Sequence, residues 1–81
     1  MSNYERFIAT KLLTETWLTA NHADLVGLTE ADLAERADAA DLHVRVISRD
    51  GHGLALTADR SPNRINVALV EGRVSRVDGA Y

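Results

Sequence analysis

No cysteine occurs in the chain, and its 81 residues include a single proline. Without cysteine there is no disulfide and no thiolate metal site, so the usual staples of small secreted domains are missing. Positive charge is in deficit: 9 lysines and arginines stand against 12 acids, for a net charge of −3 and a pI near 5.5. That balance argues against nucleic acid as a partner. No apolar run could span a bilayer, so no membrane partner is expected. The opening "MSNYERFIATKLL" lacks a basic n-region, an unbroken apolar stretch and a small-residue cleavage site. A cytoplasmic location is the expectation, or a secreted one if the chain is the mature form of a precursor. No repeat and no low-complexity tract is present.

What remains is of ordinary composition, 46% apolar and 26% charged. The length specifies one domain, burying a little more than about 60% of its unfolded surface. Its core is adequate but small, so oligomerisation is a reasonable source of further buried area.

Three regions separate by pattern. Asn3 to Asn21 has helical composition, but Tyr4, Phe7, Ile8, Leu12, Leu13, Trp17 and Leu18 wrap well over half of a helical circumference. A helix apolar on most sides must be covered on most sides. Phe7, Leu13 and Trp17 are therefore expected to meet a second subunit in a homodimer or to seal an exposed sheet. The competing reading is a frayed helix with some solvent-exposed leucine. In "LVGLTEADLAERADAA", Thr29 with Asp32 three residues on is an N-cap, placing a helix start at about Glu30. Glu30 and Asp32 suit the positive end of the macrodipole. Leu33, Ala37 and Ala40 form a thin buried face that allows close approach to a sheet. "LHVRVIS" alternates Leu42, Val44 and Val46 against His43, Arg45 and Ile47, as a strand with one buried face does. "RINVALV" alternates Ile65, Val67 and Leu69; Glu71-Gly72 then turns into "RVSRV". Asp50-Gly51 could alternatively close a hairpin pairing 42–48 with 54–58, giving an all-antiparallel meander.

The lone proline sits in "LTADRSPNRINV", Leu56 to Val67, a polar segment running straight into a strand. Taken in order, "DLVGLTEADLAERA", "HVRVIS", "LTADRSPNRINV" and "GRVSRV" resemble the potato-inhibitor-I (eglin-like) serine protease inhibitors, above all their microbial relatives. "SPNRIN" is similar to the "RPDRLN" of those relatives. The likeness covers roughly the last two thirds of the chain. It implies a single capped helix, a strand, an exposed inhibitory loop, and a second strand parallel to the first. It also implies a protease-binding loop at Thr57, Ala58, Asp59, Arg60, Ser61 and Pro62, with support from Arg64 and Asn66. Its partner would be a subtilisin-like or elastase-like serine protease, cutting between Ala58 and Asp59.

The chain departs from that pattern. The N-terminal helix has no counterpart, Ser61 stands before Pro62 where arginine is usual, Asn63 replaces an aspartate, and Asp78 stands where many relatives have cysteine.

The chemistry of the segment agrees with the likeness. Pro62 fixes its own φ and pushes Ser61 toward extended backbone. Arg64 can reach back to the Thr57 carbonyl or hydroxyl and the Asp59 carboxylate, and Asn66 lies on the same face two residues on. Without the likeness, Asp59 and Arg64 read as an ordinary surface pair.

Other chemistry is weakly signalled. His22, His43 and His52 lack metal-ligand spacing, so no metal or other cofactor is expected. Ser48, Ser61, His52 and Asp50 are triad residue types without a nucleophile elbow; a small hydrolase using Ser61 or Ser48 is remote. "RDGHG" is too short for a phosphate loop. The sequence thus specifies an α/β (α+β) fold: a capped helix on a small mixed sheet with a parallel strand pair joined by an exposed loop, plus an N-terminal helix. Residues 1–22 form the helical extension and 23–81 the inhibitor-like domain. The leading function is substrate-like inhibition of a serine protease. The alternative is a non-inhibitory interaction module that assembles through the N-terminal helix.

Overall fold

Hydrogen-bonding side chains start both helices. In a computed structural model describing residues 2–81, the Ser2 hydroxyl accepts from the Glu5 amide at 3.1 Å and opens α1, Asn3–Leu25. The Thr29 hydroxyl accepts from the Asp32 amide at 3.2 Å and opens α2, Glu30–Ala39, where the sequence predicts it. Between them Gly27, at φ 93°, turns the chain in a region that favours glycine. After α2, Asp41 adopts φ 58° and drops Leu42 into the core, with the Leu42 amide bonded to the Ala37 carbonyl at 2.8 Å.

The strands are β1 (His43–Arg49), β2 (His52–Gly53), β3 (Arg64–Val70) and β4 (Arg73–Ala80). They form one mixed sheet in the order β2-β1-β3-β4, with β1 and β3 parallel and the other pairs antiparallel. The parallel register runs from His43 opposite Arg64 to Arg49 opposite Leu69. Two tight turns set the hairpins. Asp50-Gly51 has φ values of 51° and 81°, and Glu71-Gly72 has 51° and 76°, the double positive φ that a two-residue hairpin turn needs.

Asp50-Gly51 does make a hairpin, but pairing stops at Ser48 opposite Gly53 and Arg49 opposite His52. The all-antiparallel meander does not form. Burial explains the outcome: Ile65, Val67 and Leu69 on β3 are at most 1% exposed in the centre of the sheet. Leu54 and Leu56, which the meander would have paired with β1, stay exposed.

Leu33 and Ala37 of α2 pack with Ile65, Val67, Leu69 and Val74 of the sheet. Leu18 and Leu25 of α1 belong to the same cluster, with Trp17 packed partly buried against it. The boundary expected between residues 22 and 23 therefore falls inside α1, and helix and sheet share one core. Arg36 ties the two helices together by donating to the Asn21 side chain at 3.3 Å. At 1.5 Å per residue α1 is about 34 Å long, the main reason the molecule measures 43 × 26 × 17 Å. Its buried Thr14 touches Pro62 just before β3, so the turns ahead of Thr14 run past the sheet and alongside the loop.

Candidate functional site: a braced, exposed loop

Residues 54–60, which connect β2 towards β3, are all exposed. Exposure alone would make this a soft loop. Its conformation is instead held by two arginines rooted in the parallel strand pair.

Arg64, the first residue of β3, donates from Nη1 to the Asp59 carboxylate at 3.1 Å. From Nη2 it donates to the Asp59 carbonyl at 3.1 Å and to the Tyr81 carbonyl at 2.8 Å. Its side chain is only 14% exposed against 59% for Asp59, so the ion pair has one solvated partner and one largely shielded from solvent. The Thr57 hydroxyl also donates to the Asp59 carboxylate. That bond first, and Arg64 second, hold the Asp59 carboxyl below the usual aspartate range. Arg64 Nε is buried with no acceptor, a cost borne by the geometry of the brace.

Arg45, in the middle of β1, holds the other side. Its Nη1 donates to the Thr57 carbonyl at 3.3 Å, and its Nε to the Asn66 side-chain oxygen at 2.7 Å. The guanidinium lies 5.4 Å from the centre of the Tyr81 ring, within cation–π range. Asn66 is fully buried and donates from Nδ2 to the Gly79 carbonyl at 3.1 Å, so β4 fixes Asn66 and Asn66 aims Arg45. Parallel register explains the meeting, because Arg45 and Asn66 are direct partners across β1 and β3.

The far leg of the loop is anchored separately. The Ser61 amide donates to the Tyr81 carbonyl at 3.2 Å, and the Pro62 carbonyl accepts from the Thr14 hydroxyl at 2.7 Å. The Ser61 hydroxyl donates to Asn63 at 3.0 Å and so stabilises a turn. Among the described residues, none of these bonds uses Ala58 or Arg60. An exposed alanine thus stands between two residues whose carbonyls are each gripped by an arginine.

The residues named from sequence, Thr57 to Pro62 with Arg64 and Asn66, come together in this one structure. Arg64 does not take the Thr57 carbonyl, however; Arg45 does. Asn66 acts on the loop through Arg45 rather than directly. Arg45, Tyr81 and Thr14 are further residues of the site that the family resemblance does not single out. Arg45 carried a signal only in its parity, since it lies on the non-core side of the β1 alternation; Thr14 and Tyr81 carried none.

Among the described residues no three histidine, cysteine, aspartate or glutamate side chains gather as a metal site. No described helix is long and apolar enough to cross a membrane. No family model, curated protein or solved structure matches the chain.

Proposed function

We propose that the chain is a substrate-like, reversible inhibitor of a serine protease, acting through the loop from Thr57 to Pro62. The observation that supports this reading is the double grip on the backbone: Arg45 on the Thr57 carbonyl and Arg64 on the Asp59 carbonyl, with Ala58 free between them. A protease binds its substrate extended, and a loop already ordered loses little freedom on binding.

The chemistry follows from the brace. The serine oxygen of the protease bonds to the Ala58 carbonyl carbon, the Ala58–Asp59 C–N bond breaks, and the Asp59 nitrogen leaves as an amine with the proton that the serine gave up. In a free peptide that amine diffuses away. Here Asp59 is held by Arg64 through both carboxylate and carbonyl, so the amine stays within reach of the ester. It can attack the ester, reform the amide and return the serine intact. The chain itself supplies no catalytic group.

Inhibition titrations against a subtilisin-like and an elastase-like protease test the reading. Stoichiometric inhibition, with slow cleavage confined to Ala58–Asp59, is the expected result. Rapid digestion of the loop, or indifference of both proteases, overturns it. A second reading, a non-inhibitory module assembling through α1, draws on the helix's outer surface, where Tyr4 is 75% and Leu13 73% exposed.

A further inference from the structure

We propose that α1 is a brace for the binding loop, with Thr14 as the positioning residue that fixes its far leg; the consequence for inhibition rests on the reading above. Thr14 is 2% exposed and lies on the same buried stripe as Leu18 and Leu25, where an aliphatic side chain would suffice for packing. Its hydroxyl has one proton and two carbonyls in reach, Thr10 at 3.0 Å and Pro62 at 2.7 Å. The Thr10 carbonyl already faces the Thr14 amide in the helix ladder, whereas Pro62 lies outside any strand. The shorter contact, to a carbonyl 48 residues away in the chain, takes the proton.

The consequence is geometric. Cleavage at Ala58–Asp59 would leave the new amine on the leg running from Asp59 to Pro62. Arg64 holds that leg at its start, and Thr14 with the Tyr81 carbonyl holds it at its end. Two anchors fix an orientation where one leaves a pivot. Phe7 and Lys11, two further α1 residues on this side, share a cleft with Leu56, Arg60 and Tyr81, so the helix also walls the loop from below. A helix that looks from sequence like an appendage thereby sets how long the cut ends stay aligned.

Three proteins decide the matter: wild type, Thr14→Val, which keeps the shape and loses the donor, and Thr14→Ser, which keeps the donor. Hydrogen exchange of each intact protein is measured first, without any protease. In Thr14→Val the Ser61 amide should exchange about fivefold faster, the worth of one neutral hydrogen bond, while amides of α2 and β3 stay unchanged and Thr14→Ser behaves as wild type. Unaltered Ser61 exchange in Thr14→Val, or equal acceleration in both variants, overturns the brace whether or not the protein inhibits anything. The second measurement starts from chains cut at Ala58–Asp59 and follows, by mass spectrometry, the return of intact chain on a protease that wild type inhibits. Resealing should be slower in Thr14→Val and normal in Thr14→Ser. Equal resealing in all three overturns the proposed consequence for inhibition. A wild type that inhibits no serine protease removes the inhibitor reading, and the exchange result then still decides the brace.

Discussion

Arg45 and Arg64 divide the loop between them, one carbonyl each, and Ala58 is left as the residue presented. A methyl group suits a small specificity pocket and gives no charge to a pocket with an acid at its base. Wild type should therefore inhibit an elastase-like protease and leave trypsin nearly untouched, and Ala58→Arg should acquire trypsin inhibition; equal wild-type inhibition of both enzymes refutes the assignment of Ala58. Because Ala58 makes none of the bracing bonds, that exchange should not alter the thermal midpoint. Removing a brace acts differently. Arg64→Ala frees Asp59 from its two bonds, so the variant should pass from inhibitor to substrate, cleaved at Ala58–Asp59 within minutes to hours while wild type stays largely intact. Arg45→Ala should do the same from the Thr57 side. Acid should mimic the first change. The Asp59 pKa is lowered in the folded protein, chiefly by the Thr57 hydroxyl and then by Arg64, so its contribution is present above the unfolded pKa and is lost as pH falls through the folded one. Resistance of the loop to exchange should hold from neutrality down to about pH 4 and fall only below it. Asp59→Asn should remove that acid step, and an unchanged profile would show that the carboxylate is not what acid releases.

At the scale of elements, the small helix α2 depends on its first turn. Thr29 caps it, Glu30 takes both terminal nitrogens of Arg49 at 2.9 and 3.0 Å, and Thr29 bridges to Arg73 at the edge of β4. The Glu30–Arg49 pair is half exposed on both sides, so the cap matters more to stability than the ion pair does. Thr29→Ala should cost about 1 kcal/mol, lowering the thermal midpoint by about 4–8 °C in a domain of this size, whereas Thr29→Ser should lie close to wild type. Calorimetry on the two variants separates a cap from a merely buried methyl. The same local logic governs the hairpins: Asp50-Gly51 and Glu71-Gly72 take the left-handed conformations that reverse the chain in two residues, and Gly51→Val or Gly72→Val should destabilise through backbone strain, since both glycines have open space for a side chain.

For the whole molecule, α1 faces two ways. Trp17 and Leu18 pack on the core while Tyr4, Leu12 and Leu13 point to solvent at 75, 59 and 73% exposure. Trp17 is thus a poor probe of assembly, because changing it disturbs folding. Leu13 is the better one. If the helix pairs with a second copy, sedimentation at micromolar concentration should give a dimer that Leu13→Glu converts to a folded monomer; a wild-type monomer rules that assembly out. Features that depend on near neighbours were legible in the sequence by itself: the Thr29 cap, the alternation of β3 and the Glu71-Gly72 turn. Each is settled by propensity, period or turn chemistry within a few residues. The span from Thr57 to Pro62 came only through the family resemblance. The tertiary structure decided how far each neighbour of β1 pairs with it: β2 and β3 flank β1 on opposite sides, the hairpin stopping after two residue pairs while β3, with Ile65, Val67 and Leu69 buried, pairs in parallel along the strand. It likewise decided who holds the loop. Arg45 meets Asn66 across 21 residues, Arg64 meets Tyr81 across 17, and Thr14 meets Pro62 across 48. Contacts at such separations exist only once the sheet register and the docking of α1 are set, and no local pattern encodes them.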